Sequence, residues 1–135
     1  GMIGLLQRVS SASVVVDGVT IGAIEAGLMV LLCAERHDTE QEADALLNKL
    51  LSYRVFADEA GKMNRSVLDI KGSVLVVSQF TLSGDARNGR RPSFASAAPP
   101  QIARALYEDV VRELKAAGLR VETGEFQAVT DKWLK

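Results

Sequence analysis

The chain has 135 residues, of which 47% are hydrophobic and 24% charged. This length and composition fit one globular domain and exclude a disordered or fibrous protein. Lys and Arg number 16 against 17 Asp and Glu, so the net charge of −1 lacks the overall basic excess typical of nucleic-acid-binding proteins. No segment approaches the roughly 18 consecutive apolar residues of a membrane helix, and the first residues have no signal-peptide pattern. The single cysteine excludes an intrachain disulfide, so we expect a cytoplasmic protein without membrane contact.

The first quarter of the chain predicts a β-meander. Three strand-like runs come first, at residues 2–9, 12–17 and 19–24. Asp17 and Gly18 are residue types typical of a type I′ hairpin turn, in which both central residues need a positive φ. Gly27 precedes a fourth run, residues 28–34, whose continuous apolarity predicts a strand that is buried on both faces.

Two helices are predicted. The first begins at Thr39, which has capping-box spacing to Glu42, so that each side chain satisfies a backbone donor of the first turn. Its apolar face consists of Ala43, Leu46, Leu47, Leu50 and Leu51. The second helix begins at Pro99 and Pro100 and ends at Gly118. Its apolar side consists of Ile102, Leu106, Val110 and Leu114.

The remaining segments complete the pattern of one α/β domain. Residues 54–57 predict a short strand, residues 58–62 a turn, residues 73–80 an interior strand and residues 119–123 a final strand. Residues 83–99 are rich in Gly, Ser, Arg, Ala and Pro, and a long segment of this kind in a small domain is often functional. A meander followed by helix, strand, helix and strand predicts a single α/β domain with mixed sheets.

Familiar catalytic constellations are missing from the sequence. His37 is the only histidine, and no Gly-x-Ser-x-Gly elbow accompanies it. A dyad with Cys33 fails if the strand continues, because four residues of a strand span about 13 Å. Cys33 is then a small buried hydrophobic residue, and His37 a polar residue near a helix start. Two His or Cys residues are too few for a zinc site, and no phosphate-loop motif occurs, so we expect neither a metal nor another cofactor.

One candidate site remains, at the end of the interior strand in Ser78-Gln79-Phe80-Thr81-Leu82. Backbone N–H groups and polar side chains where a buried strand opens into a loop can form an oxyanion hole. Gln79 offers an amide, Thr81 a hydroxyl, and Phe80 a ring that could stack on a base or pack in the core. The residue types alone leave open a polar strand end that only feeds a turn.

A cluster of cations follows this segment. Arg87, Arg90 and Arg91 lie close together, with Lys62 and Arg65 in an earlier loop. These side chains could contact phosphates, or they could belong to a solvated loop.

The pentapeptide at residues 78–82 resembles the signature of the D-aminoacyl-tRNA deacylases. Further segments resemble that family in the same order along residues 2–128. They are Gln7-Arg8-Val9, Ala12-Ser13-Val14, Gly27-Leu28, Gly61-Lys62-Met63-Asn64, Arg91-Pro92-Ser93-Phe94, Ala105-Leu106-Tyr107 and Thr123-Gly124-x-Phe126. A lone pentapeptide would be a weak signal, but a collinear set is specific.

The resemblance implies a fold and an activity. The fold is a single three-layer α/β/β domain over residues 1–135, with mixed sheets and both helices on one side. The activity is a metal-independent hydrolysis of the ester of D-aminoacyl-tRNA, and of glycine mischarged on tRNA(Ala), assisted by the terminal ribose of the tRNA. The protein would be a cytoplasmic homodimer that binds the aminoacylated 3′ end, with its site at the subunit interface and no DNA partner.

The resemblance also implies site residues. Ser78, Gln79, Phe80 and Thr81 would line the catalytic pocket, with Thr81 nearest the ester. The implied substrate-binding residues are Arg8, Met63, Asn64, Arg91, Pro92, Ser93, Phe94 and Phe126, the last against the adenine.

One family feature is missing. The family has an Asn-x-Gly-Pro-Val-Thr segment near its C-terminus, whose cis Gly-Pro peptide reaches into the neighbouring subunit and excludes L-amino acids. Here Ala128 runs directly into Val129-Thr130, and no Gly-Pro occurs. Either the protein has lost this selectivity element or the printed sequence omits it. Two alternatives follow, a catalytically impaired homologue that still binds the tRNA end and a small-molecule ester hydrolase.

Overall fold

The computed structural model describes residues 1–78 and 97–124, which build a four-stranded sheet between a β-hairpin and a helical layer. The strands are β1 (Ile3–Val9), β2 (Ala12–Val16), β3 (Val19–Ile24), β4 (Gly27–Cys33), β5 (Phe56–Ala57), β6 (Met63–Arg65), β7 (Ser73–Ser78) and β8 (Arg120–Gly124). The helices are α1 (Glu40–Ser52) and α2 (Pro100–Ala116). This arrangement confirms the expected three-layer α/β/β fold with both helices on one side. The last two residues of the strand predicted at 73–80, and most of the segment at 83–99, lie outside the described residues.

The main sheet has the strand order β1-β4-β7-β8. β4 pairs antiparallel with β1 and parallel with β7, and β7 pairs parallel with β8. The register places Leu32 beside Ser78, and Val77 beside Gly124. Because parallel strands run in one direction, the carboxyl ends of β4, β7 and β8 meet at a single edge of the sheet.

Both faces of the central strands are buried, as the unbroken apolar runs predict. Val30 and Val76 face the helices and pack with a set of fully buried leucines and valines, among them Leu50, Val110 and Leu114. On the opposite face Leu75 and Val77 pack with Met29 and with Val14 and Ile24 of the hairpin, which β2 and β3 form. Complete burial of one such side chain stabilises the fold by roughly 1.5–3 kcal/mol, so these layers fix the sheet between hairpin and helices.

The predicted turns and caps are confirmed in detail. Asp17 and Gly18 have φ values of 50° and 79°, as a type I′ turn requires. Thr39 caps α1, and the reciprocal bonds of the capping box with Glu42 are both present. Gly118 follows α2 with a φ of 94°, which favours glycine.

One strand boundary differs from the sequence-based expectation, and one strand was not expected. The strand expected at residues 54–57 is limited to Phe56–Ala57, and it pairs with β6, which the sequence did not predict. The residues of β6 are mostly exposed and carry no apolar alternation, so the pattern that normally reveals a strand is missing there. The turn expected at residues 58–62 is confirmed as the connection between these two short strands, with Gly61 at a φ of 80°.

No helix within residues 1–78 and 97–124 is long and apolar enough to cross a lipid bilayer.

Gly27 provides a test of the β4–β7 pairing. A Cβ atom at this position would lie 1.8 Å from the backbone oxygen of Ser73, its partner in the parallel register. A backbone atom inside a ladder cannot move aside as a flexible side chain can, so we expect Gly27→Ala to lower the free energy of unfolding by about 3 kcal/mol. Urea denaturation measures this change.

The control is Gly61→Asn, at a position with open space around it and a positive φ that asparagine tolerates. It should cost less than about 1 kcal/mol. Equal losses in the two variants would show that the close approach at Gly27 is not what the fold depends on.

Candidate functional site

Ser78 is the one residue of the signature pentapeptide that falls within the described ranges. It lies half-buried at the carboxyl end of β7, where a strand with four consecutive buried residues reaches the edge of the sheet. The other implied site residues that lie outside the described ranges are Gln79, Phe80, Thr81, Arg91, Pro92, Ser93, Phe94 and Phe126. Arg87 and Arg90 of the predicted cationic cluster lie there as well.

A cleft opens beside Ser78, along α2 and the carboxyl ends of β4, β7 and β8. Its floor includes Cys33, Ser78 and Thr123, and its wall includes Tyr107 from α2. The cleft lies outside the carboxyl ends of parallel strands, where open α/β sheets commonly bind ligands. The geometry therefore makes this edge the strongest candidate for chemistry.

The chain re-enters the described structure at this same edge. Ala97 forms an isolated antiparallel bridge with Glu35, and the N–H of Ala98 donates to the carbonyl of Ala34 at 3.0 Å. The buried carboxylate of Asp38 accepts from the N–H of Glu35 at 2.7 Å and closes the turn after β4, which Ala97 and Ala98 contact. The start of α2 is thus fixed against the end of β4.

Cys33 and His37 lie in different environments. Cys33 is 3% exposed, as expected for a small buried hydrophobic residue, whereas His37 is exposed and has a φ of 74°. β4 ends at Cys33 and the chain then turns, so the separation of about 13 Å expected from a continuing strand does not apply. His37 lies two residues before the cap of α1, as predicted.

Tyr107 connects α2 to the floor of the cleft. Its hydroxyl donates to the carbonyl of Val76 at 2.9 Å and is also hydrogen-bonded to the side chain of Thr123. Burial of the phenol raises the pKa of Tyr107 to about 12, with the Thr123 bond as a smaller opposing effect. The hydroxyl therefore stays protonated at neutral pH. Neither bond could be predicted from the residue pattern, because only the packing of α2 on the sheet brings Tyr107 to Val76.

Arg8 and Met63 meet at a second, smaller hollow. The guanidinium of Arg8 donates to the carbonyl of Val55 at 3.0 Å and contacts the sulfur of Met63 at 3.2 Å. Both residues line the hollow together with Leu6 and Leu28. Two of the implied substrate-binding residues are thus in direct contact.

The structure does not bring Arg8 and Ser78 together within one chain. Arg8 pairs with Leu28, which pairs with Val74, and Val74 lies four residues before Ser78 along β7. Four residues of a strand span about 13 Å, so the two sets lie toward opposite ends of the sheet.

Asn64 has a structural partner in the turn between β5 and β6. Its side-chain amide donates to Asp58 Oδ2 at 2.9 Å, while Asp58 Oδ1 accepts from the N–H groups of Ala60 and Lys62 at 2.9 and 3.0 Å. These bonds, that of Asn64 first, lower the pKa of Asp58. An ion pair between Glu59 and Arg65 closes the same turn, which places one residue of the expected cationic loop in a local pair. The Asn64 amide thus holds the turn that presents Met63.

Comparisons with known proteins identify the family of this chain. The family described as D-Tyr-tRNA(Tyr) deacylase matches residues 5–132. The chain belongs to this family. A D-aminoacyl-tRNA deacylase from Janthinobacterium sp. (strain Marseille) is 65% identical over 127 residues, which cover 94% of this chain and 85% of the relative.

Solved structures give the same result for the fold. One titled "c-Myc DNA Unwinding Element Binding Protein" superposes with a TM-score of 0.84 at 38% identity, and covers 93% of this chain and 85% of its own. A second is titled a probable eukaryotic D-amino acid tRNA deacylase and has a TM-score of 0.70 at 20% identity. That match covers 86% of this chain and 68% of the solved chain. At that identity the second match shows the fold alone.

The Asp58 turn predicts a pH response. Because the folded pKa of Asp58 is lowered, its contribution to stability is present above the unfolded pKa and is lost as the pH falls through the folded pKa. In Asn64→Ala we expect the pKa of Asp58 to rise toward its ordinary value, since the largest stabilising bond to the carboxylate is removed. A pH titration of side-chain carboxyl carbons by NMR measures both states.

Asp69 serves as an internal reference, because its pKa is lowered by the backbone and side chain of Ser66 and not by Asn64. It should titrate identically in the two proteins. An unchanged pKa of Asp58 in the variant would mean that Asn64 does not support the turn.

Proposed function

We propose that the protein hydrolyses the ester bond of D-aminoacyl-tRNA, and of glycine mischarged on tRNA(Ala), releasing the amino acid and tRNA. The observation that carries this proposal is the family match across residues 5–132, with the signature pentapeptide starting at the carboxyl end of β7. The partner would be the aminoacylated 3′ end of tRNA, and the place of action the cytoplasm.

The proposed mechanism relies on positioning. Water adds to the ester carbonyl, the tetrahedral oxyanion collapses with cleavage of the acyl–oxygen bond, and the ribose oxygen leaves with a proton. The neighbouring ribose hydroxyl of the tRNA assists, so no protein nucleophile is needed. Orientation can supply up to about 7–11 kcal/mol, and backbone donors near Gln79 and Phe80 would each stabilise the oxyanion by roughly 3 kcal/mol. Thr81 would lie nearest the ester.

We also propose that the protein is a homodimer. The hairpin packs over β7 and β8, whereas the β1 part of the same face has a large exposed apolar side chain, Leu5, which is 51% exposed. Leu5 pairs with Leu31, which pairs with Val77, directly before Ser78. A second subunit on this face would lie beside the exit of β7, which supports a site shared between subunits.

The lack of a Gly-Pro segment supports a second candidate function. A homologue without this element would keep the fold and the pocket for the tRNA end but would not proofread usefully. Discrimination between D- and L-amino acids requires a rigid obstacle that only one enantiomer meets, because the two enantiomers carry the same chemical groups. Proline restricts the backbone, so the family segment suits that role.

Deacylation of matched D-Tyr-tRNA and L-Tyr-tRNA tests these proposals. A protein of these 135 residues should hydrolyse neither ester or both, because nothing in the printed sequence after Ala128 supplies the obstacle. A variant with the Asn-x-Gly-Pro-Val-Thr segment inserted after Ala128 should prefer the D-ester by at least about 100-fold. Release of labelled tyrosine measures both rates.

The outcomes separate the proposals. Failure of both proteins to hydrolyse D-Tyr-tRNA would overturn the deacylase proposal. Strong preference for the D-ester in the 135-residue protein, with its mass verified, would overturn only the claim that discrimination between enantiomers needs the Gly-Pro segment.

The dimer makes its own prediction. Leu5→Lys places a charge in the middle of the proposed interface, which should convert the protein to a monomer and abolish deacylation, because burial of an unpaired charge is costly. Light scattering coupled to gel filtration measures the mass. Val19→Lys is the matched control, since Val19 is 62% exposed but lies on the hairpin. A monomeric wild type at micromolar concentration would contradict the shared site.

A further inference from the structure

The hydroxyl of Tyr107 lies within hydrogen-bonding reach of two adjacent strands, β7 and β8. Val76 in β7 and Thr123 in β8 are direct partners in the parallel register. The Tyr107 hydroxyl hydrogen-bonds to both, through the carbonyl of Val76 and the side chain of Thr123. One group on α2 therefore ties together two adjacent strands of the sheet.

Both strands lead from this point into segments with a proposed role in the reaction. Ser78, which opens the signature pentapeptide, follows Val76 by two residues, and Phe126, proposed to contact the adenine, follows Thr123 by three. A change in the spacing of the two strand ends would thus change the separation of Ser78 and Gly124, the last described residues before the two segments.

We propose that Tyr107 is a positioning residue for the deacylation reaction, whose hydroxyl fixes the separation of the β7 and β8 exits. The inference rests on the proposed function, since it assigns a role within that site. Tyr107 acts through Val76 and Thr123 and does not itself touch the ester.

The contribution of the Tyr107 hydroxyl can be measured separately from that of its ring. The Tyr107 ring packs against the helix-side core, so phenylalanine keeps that packing and loses only the two hydrogen bonds. Val76 is fully buried, and its carbonyl would lose the Tyr107 donor. Because the phenol stays protonated well above neutral pH, the donor is present throughout the range in which deacylation is measured.

The first experiment is Tyr107→Phe, made in whichever protein hydrolyses D-Tyr-tRNA, the 135-residue chain or its Gly-Pro insertion variant, with kcat and KM measured on that ester. We expect kcat to fall about tenfold and KM to change less than twofold, because misplacement affects the transition state more than the binding of the tRNA end. Ser52→Ala is the matched control, since it removes a hydroxyl-to-carbonyl bond within α1, to Lys49 at 3.4 Å, away from the cleft. It should leave both constants unchanged.

The second experiment tests the bridge itself. Thr123→Val should lower kcat by about threefold in the wild-type background and have no further effect in Tyr107→Phe, because both bonds act through one hydroxyl. Thr123→Ser keeps a hydroxyl at this position, so its kcat should equal that of the protein with Thr123. Additive losses of kcat from Tyr107→Phe and Thr123→Val would show that the two side chains act independently. That result would overturn the proposed link between β7 and β8 through the Tyr107 hydroxyl.

A third measurement does not depend on activity. In Tyr107→Phe, amide hydrogen exchange at Ser78 and Gly124 should be faster than in the wild type, while exchange in the β2–β3 hairpin stays the same. Absence of deacylation in both the 135-residue protein and its Gly-Pro insertion variant would defeat the proposed function. Unchanged exchange at Ser78 and Gly124 would defeat the role of Tyr107 in either case. A lower thermal midpoint with full kcat in Tyr107→Phe would reduce Tyr107 to a purely structural residue and overturn the proposal.

Discussion

Parallel pairing of β7 with both of its neighbours is the constraint on which the rest of the structure depends. Two parallel strands cannot be joined by a tight turn, so each connection must return along a face of the sheet. The connection from β4 to β7 contains α1, and that from β7 to β8 contains α2, and both helices pack on the same face. On the opposite face, the described part of the chain places the hairpin over β7 and β8 and leaves Leu5 of β1 exposed.

The same pairing decides where the candidate site can lie. Three strand ends meet at one edge, and the hairpin approaches that edge closely because glycines line its contact. A Cβ at Gly22 would lie 2.6 Å from the carbonyl of Thr123, and one at Gly124 would lie 2.9 Å from the side chains of Val14 and Val77. Hairpin, sheet and α2 therefore all converge where the signature pentapeptide begins, and this leaves little freedom for the strand exits.

The parts of the fold that local physics decides could be predicted from the sequence. The Asp17-Gly18 turn, the Thr39 capping box and the two-sided burial of β4 and β7 each follow from residues close together in the chain. β6 could not be predicted, since its residues are mostly exposed and its strand character comes from pairing with β5.

The candidate site shows the same division. Motif order placed Ser78 at the end of an interior strand, but motif order cannot report which polar atoms are already bonded. Asn64 donates to Asp58 across a turn, and the Tyr107 hydroxyl reaches a strand 31 residues away along the chain. Both bonds depend on the packing of whole elements, so neither residue type nor spacing reveals them.

These bonds suit the kind of catalysis proposed for the family. A site with an activated nucleophile gains part of its rate from a covalent intermediate, which divides one difficult step into two easier ones. A site in which the substrate supplies its own assisting hydroxyl has only orientation and fixed dipoles to offer, and both decline steeply with displacement. Such a site needs rigid supports more than charged side chains. The described residues supply such supports, because the Tyr107 hydroxyl donates to the backbone carbonyl of Val76 beside the cleft and the Asn64 amide donates to the Asp58 carboxylate in the turn beside the second hollow. On this view the precision of the strand exits, and not the reactivity of any one side chain, is the property that the fold preserves.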